Sequence, residues 1–160
     1  MIDGSVVRAH RHAAGARGGQ DKQGLGRGCG GFSSKIHAKV DSFGMPLEFI
    51  ITPGQSSDIG EAQALVGQDY CEYLLADRGY DSDHFRQALK EKGITPVIPG
   101  RKNRLEKVDY DEYTYQERNA VERFFARLKE YRRIATRYDK TAMMFKGGLV
   151  MASILMWIKI

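Results

Sequence analysis

Two alternating runs of apolar and polar residues, joined by a short turn, constrain the fold of this chain most strongly. They are KIHAKV (35–40) and PLEFII (46–51), and the segment DSFGM (41–45) separates them. Alternation with a period of two is typical of a strand that buries one face, and a short turn rich in Asp, Ser and Gly joins adjacent strands. The sequence therefore predicts an antiparallel β-hairpin.

The segments around the hairpin predict an α/β order of elements. IDGSVVRAH (2–10) is rich in β-branched residues and predicts a strand ahead of the hairpin. Behind the hairpin come a helix at 57–66, a strand at 72–76, a helix at 81–93, a strand at 94–100, a long basic helix from about Glu117 and a final apolar helix. Residues 13–31, with eight glycines, and the polar segment 101–116 predict loops. Three antiparallel strands followed by βα units predict an α/β fold with flanking helices.

The size and apolar content of the chain predict a single cytoplasmic domain over residues 1–160. A chain of 160 residues with 42% hydrophobic and 28% charged residues is long and apolar enough for one core. The most apolar run, GGLVMASILMWI (147–158), is shorter than the roughly 20 residues that span a bilayer. MIDGS at the start has no signal-peptide pattern, so no membrane partner is expected.

Charge is segregated along the chain. Residues 1–40 hold seven Lys/Arg and two Asp/Glu, residues 41–117 hold eight and fifteen, and residues 118–140 hold eight and three. Two basic segments around an acidic middle suggest a polyanion held at the edges of an acidic site. Scattered, solvated charge is the alternative interpretation.

Two aspartates occupy positions where an α/β sheet gathers reactive groups. Asp77 follows the apolar run EYLLA, and Asp3 lies on the first predicted strand. If those strands are neighbours, the two carboxylates come close and repel unless a cation lies between them. Mg²⁺ or Mn²⁺ is the natural cation for carboxylate oxygens. Taken alone, either aspartate reads as a capping or turn residue.

The basic helix offers a third carboxylate, Glu122. At about 100° per residue, Tyr115, Arg118 and Lys129 share one polar stripe with Glu122, roughly 60° wide. The predicted core face of this helix comprises Val121, Phe124, Phe125, Leu128 and Ala135, and its outer side comprises Arg123, Arg127, Arg133 and Arg137. Glu122 thus lies at the edge of the buried face. An i,i+4 ion pair between Arg118 and Glu122 explains the spacing equally well.

The same residues resemble a known family. YQERNAVERFFARLK carries the pattern Y-(2)-R-(3)-E-(6)-K through Tyr115, Arg118, Glu122 and Lys129, which is similar to the signature of DDE transposases of bacterial insertion sequences. IDGSVVRAH and ADRGYDS resemble the family's segments for the first and second catalytic aspartates, at Asp3 and Asp77. The segments GGFSSKIHAKVD, ITPGQSSDI, PVIPGRKNR and RRIATRYDKTA also resemble the insertion-sequence-five group, so the likeness covers nearly the whole chain.

The resemblance implies a ribonuclease-H-like fold and a two-metal site. Asp3, Asp77 and Glu122 would hold two Mg²⁺ or Mn²⁺ ions for DNA cleavage and strand transfer, in which a freed 3′-hydroxyl attacks target DNA. Arg118 and Lys129 would contact phosphate, and Tyr115 would position the DNA. Candidate contacts to the DNA backbone are Arg8, Arg11, Lys35, Arg132, Arg133 and Arg137. A homo-oligomer on the element ends and target DNA, close to the bacterial nucleoid, is expected.

Members of this family carry an upstream helical region that recognises the terminal repeats, and Met1 lies only two residues before Asp3. We therefore expect the downstream frame of a split element, fused to an upstream frame product by frameshifting, with a degraded gene copy as the rival. Two other functions remain open: a non-catalytic DNA-binding or inhibitory fragment, and a metal-dependent nuclease of the same fold.

Overall fold

A computed structural model describes residues 1–28 and 30–159, and it has a mixed α/β architecture. The strands are β1 (Ile2–Ala9), β2 (Gly26–Gly28), β3 (Gly31–Val40), β4 (Pro46–Pro53), β5 (Tyr73–Leu75), β6 (Thr95–Val97) and β7 (Thr136–Arg137). The helices are α1 (Gly19–Lys22), α2 (Asp58–Val66), α3 (Asp83–Glu91), α4 (Glu112–Gln116), α5 (Asn119–Glu130), α6 (Arg132–Ala135) and α7 (Ala142–Ile158). The α/β prediction is confirmed at this level.

The predicted hairpin is present, and its first strand, β3, is central in a five-stranded sheet. β3 pairs antiparallel with β4, with Ile36 opposite Ile51, and antiparallel with β1, with Asp3 opposite Ala38. The turn is closed by Asp41, whose Oδ1 accepts hydrogen bonds from the amides of Phe43 at 2.9 Å and Met45 at 2.8 Å. β7 joins β1 in parallel through two residue pairs, and β2 lies beside the start of β3.

The strand that precedes Asp77 lies outside this sheet, which corrects one expectation. β5 pairs in parallel with β6, with Leu75 opposite Val97, and these two strands form a separate small sheet. The partners of β1 within the described residues are β3 and β7, so Asp3 and Asp77 are not on hydrogen-bonded neighbours. Their proximity depends instead on how the two sheets pack.

Two hydrophobic cores cover the two faces of β1. Val7 points into a core built with the β3–β4 hairpin, α5 and α7, in which Phe124, Leu128, Phe145 and Leu149 are all at most 1% exposed. Ile2 points to the other face, into a core shared with α2, α3, β5 and β6. β1 therefore ties the large sheet to the βα half of the molecule, and this fixes Asp3 between them.

The long basic helix is broken, which changes the placement of several predicted residues. α4 forms inside the segment predicted as a loop, α5 ends at Glu130, and Tyr131 has an extended backbone (φ −73°, ψ 105°) before α6 begins. Arg137 lies on β7 and not on the outer side of a helix, and Ala135 is only half-buried. The predicted glycine-rich loop also contains α1 and β2, and Cys29 lies outside the described residues.

The final helix, α7, covers the hairpin with one side only. Phe145, Leu149 and Ala152 face the core, while Met143, Met151 and Ile158 are 83%, 62% and 72% exposed. Within the part of the chain that the structure describes, no helix combines the length and apolarity needed to cross a bilayer.

Candidate active site

Asp3 is held on β1 by two hydrogen bonds. Its Oδ1 accepts the Gly4 amide at 2.8 Å and its Oδ2 accepts the Arg118 guanidinium at 2.9 Å, with the side chain only 16% exposed. Burial raises the pKa of Asp3 to about 6, against the lowering effects of Arg118 and the Gly4 amide, and the charges of Asp77 and Asp58 add to the rise. These electrostatic effects place three aspartates in one acidic region.

Asp77 caps a single turn of 3-10 helix, Arg78–Tyr80, just beyond β5. Its Oδ1 accepts the Gly79 amide at 2.8 Å, which is the turn role that the sequence left open for it. The Tyr80 hydroxyl is buried without a hydrogen-bond partner among the described residues, and Asp58, Asp3 and Asp77, after burial, raise its pKa. The turn thus points a buried polar group toward the acidic region.

Glu122 lies in the first turn of α5 and is 57% exposed. Its Oε1 accepts from Arg118 at 2.5 Å, so the i,i+4 pair that the spacing allowed is present. The same guanidinium binds Asp3, 115 residues earlier in the chain. Arg118 therefore forms the i,i+4 ion pair with Glu122 and also connects Glu122 to Asp3, the predicted first acid.

The remaining members of the signature lie around these acids. Tyr115 is on α4, half-buried, with its ring 5.5 Å from that of Tyr110 in an edge-on arrangement. Burial raises its pKa, as does the Asp77 charge, while Arg118 and Arg78 oppose the rise. Lys129 is exposed on α5, and its Nζ lies 3.5 Å from the Val6 carbonyl oxygen on β1. Arg118 and Lys129 thus both reach β1, whereas Tyr115 lies one helix earlier.

A second polar layer, at the start of the helix predicted at 57–66, supports β1 from the opposite face. The Asp58 carboxylate, at the start of α2, accepts from Lys35 Nζ at 3.1 Å and lies 3.5 Å from Nδ1 of His37. A Cβ at Gly4 would clash with this carboxylate, so a larger residue beside Asp3 would force the Asp58 side chain to move. The glycine after Asp3 and the aspartate in ITPGQSSDI were the available signals.

The predicted backbone contacts divide into exposed and buried residues. Arg8, Arg11, Arg132 and Arg133 are exposed, and Arg133 lies 3.5 Å from Asp139. Arg137 is a correction: it is 0% exposed, and its guanidinium donates to Ser34 Oγ at 2.7 Å and to backbone carbonyls, so it cannot reach a phosphate here. Lys35 is 13% exposed, and its ammonium group is bound to Asp58 and the Ser56 carbonyl.

The predicted two-metal site is not preformed in the arrangement of the described side chains. Over residues 1–28 and 30–159, no three His, Cys, Asp or Glu side chains are grouped closely enough to hold a metal ion. The donors themselves are carboxylate oxygens, which suit Mg²⁺ and Mn²⁺. The chemistry of the acids therefore fits these ions, while Arg118 lies between Asp3 and Glu122 in this arrangement.

Comparison with known proteins identifies the family of this chain. The model of a family described as "Transposase DDE domain" matches residues 1–157. A Brucella ovis protein named "Putative transposase for insertion sequence element IS6501" is 36% identical over 132 residues, covering 79% of this chain and 99% of that protein. The corresponding IS402 protein of Burkholderia cepacia is 31% identical over 121 residues, covering 68% of this chain and 55% of its own length. No solved structure matches. The chain belongs to the transposase DDE domain family.

Proposed function

We propose that this chain is the catalytic domain of an insertion-sequence transposase, which cleaves DNA at the element's ends and joins the freed 3′-hydroxyl to target DNA. The observation that carries the proposal is the bridge from Asp3 through Arg118 to Glu122, with contacts of 2.9 and 2.5 Å. Residues 115 positions apart converge there, and Asp77 is close enough for its charge to raise the pKa of Asp3.

The proposed metal ligands are Asp3, Asp77 and Glu122. Two Mg²⁺ or Mn²⁺ ions bound there would activate the attacking oxygen and neutralise charge on the leaving one. Three carboxylates brought together are unfavourable without cations. Burial is the main reason that the pKa of Asp3 is raised, and the charge of Asp77 adds to the rise. Arg118 supplies one positive charge to the pair it bridges, so metal binding and the Arg118 contacts are expected to be coupled.

The chain's own side chains would hold the DNA around these acids. Arg118 is 13% exposed and fixed by two carboxylates, which suits a donor aimed at one phosphate. Lys129 is exposed on the same helix and would add a backbone contact, and Tyr115 would orient the strand near Asp77. Arg8, Arg11, Arg132 and Arg133 would extend the contact along the duplex.

The proposed fold type is ribonuclease-H-like. It is supported by the antiparallel order β1–β3–β4, by the later βα unit β5–α3–β6, and by the position of α5 against β1. In a ribonuclease-H-like sheet, β5 would pair with β1 and so join the two sheets into one.

A strand-transfer assay tests the function. The purified chain would be incubated with a pre-cleaved element end, target DNA and Mn²⁺, beside Glu122→Gln and the control Glu130→Gln, which removes an exposed acid from the same helix. Joined products from the wild type and the control, lost in Glu122→Gln, support the proposal. Cutting without joining supports the nuclease alternative, and binding without any product supports the inhibitory fragment.

We also propose that a second copy packs on the exposed face of α7. Gly147 and Gly148 leave open space on this face, and Ile154, Leu155 and Ile158 are exposed about two to three turns later. An antiparallel pair of α7 helices would place the glycines of one copy against the large residues of the other. Fusion to an upstream frame product and association with the nucleoid stay predictions of the family resemblance.

A further inference from the structure

The basic segment Arg101–Arg104 is anchored next to the Asp77 turn by a buried carboxylate. The Asp81 side chain is 1% exposed and accepts from Arg86 and Arg104, each at 2.9 Å. Its Oδ2 also accepts the Arg101 amide at 2.8 Å. Burial raises the pKa of Asp81, but these donors together hold it below its ordinary value, so the anchor is ionised. The segment is therefore fixed relative to the turn that contains Asp77.

The Arg101 guanidinium lies directly on that turn. Its Nη2 donates to the Gly79 carbonyl at 3.1 Å, and its Nε lies 3.4 Å from the Arg78 carbonyl. The amide of the same Gly79 donates to Asp77. Gly79 therefore contacts Arg101 through its carbonyl and Asp77 through its amide.

The positively charged side chains of this region differ in whether they form ion pairs within the protein. Arg104 is paired with Asp81 and Asp83 and is 21% exposed. Arg78, Arg101 and Lys102 are exposed and make no ion pair among the described residues. Arg78 and Arg101 therefore lie on or against the turn that follows Asp77, and Lys102 is next to Arg101 in the chain. None of the three is on α5.

We propose that Arg78, Arg101 and Lys102 form a second phosphate-binding site, which grips the DNA backbone on the Asp77 side of the acidic region. Arg118 and Lys129 lie on the α5 side, so the acids would lie between two phosphate-binding sites. This proposal rests on the proposed function and adds a contact surface to it. Because the segment is pre-positioned by Asp81, little ordering entropy would oppose the contact.

Salt-dependent DNA binding tests the proposal. Affinity for a short labelled duplex would be measured by fluorescence anisotropy between 50 and 300 mM KCl, without a divalent cation so that no cleavage occurs. The test variant is Arg101→Gln with Lys102→Gln. The matched control is Lys90→Gln with Lys159→Gln, which removes two exposed charges from α3 and the end of α7. Thermal melting would check that both variants remain folded.

Each lost phosphate contact should lower the slope of log K against log salt by about 0.9, so the test variant should lose about 1–2 in slope. Its affinity at 100 mM KCl should fall about tenfold or more, while the control stays within about twofold of the wild type. Equal slopes in the test and control variants would overturn this inference while leaving the proposed function in place. Failure of the wild-type chain to bind DNA at all would overturn both.

Discussion

The Arg118 guanidinium donates to carboxylates on two elements, Asp3 of β1 and Glu122 of α5. Helical spacing alone predicted the second contact but not the first, because the first depends on how α5 crosses the sheet. Asp58 and His37 were missed for the same reason, because their contact depends on how α2 packs against β3 and β1. The sequence therefore proposes the acids, whereas tertiary packing determines their partners.

Replacing Arg118 tests its role between the two acids. Arg118→Gln leaves the 16% exposed Asp3 carboxylate without its ionic partner, so we expect the free energy of unfolding to fall by about 1–3 kcal/mol. Chemical denaturation at pH 8 measures the change. Arg123→Gln, which removes an exposed charge from the same helix, should change stability by less than about 0.5 kcal/mol. Equal effects of the two substitutions would contradict the bridge.

His37 gives stability a predictable dependence on pH. Burial lowers its pKa from 6.5 to about 4, although Asp58 opposes the shift, so the folded protein keeps it neutral while the unfolded chain takes up a proton. Its contribution is present above about pH 6.5 and is lost as the pH falls toward 4. Between pH 7 and 5 the wild type should lose about 2 kcal/mol more than His37→Gln. Parallel stability profiles for the two proteins, measured by urea denaturation, would refute this assignment.

At the level of elements, the hairpin turn and the start of α5 are packed against each other. Gly44 has φ +77°, and a Cβ there would lie 2.8 Å from the Ala120 carbonyl oxygen. Gly44→Ala should therefore cost about 1–3 kcal/mol and displace the first turn of α5, which carries Glu122. Gly60→Ala, in the exposed first turns of α2, should instead be neutral or stabilise by up to about 1 kcal/mol. Thermal melts of both variants would show whether the two signs differ as expected.

Element types were more predictable than element partners. The hairpin, α2, α3 and α7 follow from local periodicity, because each buries one side of a regular repeat. The break at Tyr131 and the burial of Arg137 do not, since they are imposed by packing of α6 and β7 against β1. The separation of β5 from β1 is likewise a property of how the two cores meet.

At the scale of the whole molecule, α7 leaves a broad apolar face uncovered, and self-association is the expected result. Met151→Glu places a charge in the centre of that face and should shift sedimentation toward the monomer at concentrations where the wild type associates. Leu105→Glu is the matched control, because Leu105 is fully exposed in a loop away from α7. A wild type that is monomeric throughout would contradict the proposed contact.

The central claim is that Asp3, Asp77 and Glu122 act together as one metal-binding centre, and Mn²⁺ binding tests it most directly. Electron paramagnetic resonance would count Mn²⁺ ions bound to the chain on a pre-cleaved element end, in the wild type, Asp77→Asn, Glu122→Gln and the control Glu130→Gln. We predict two ions in the wild type and the control, and affinity weakened by about tenfold or more in the other two variants. Unchanged Mn²⁺ affinity in both Asp77→Asn and Glu122→Gln would contradict the account.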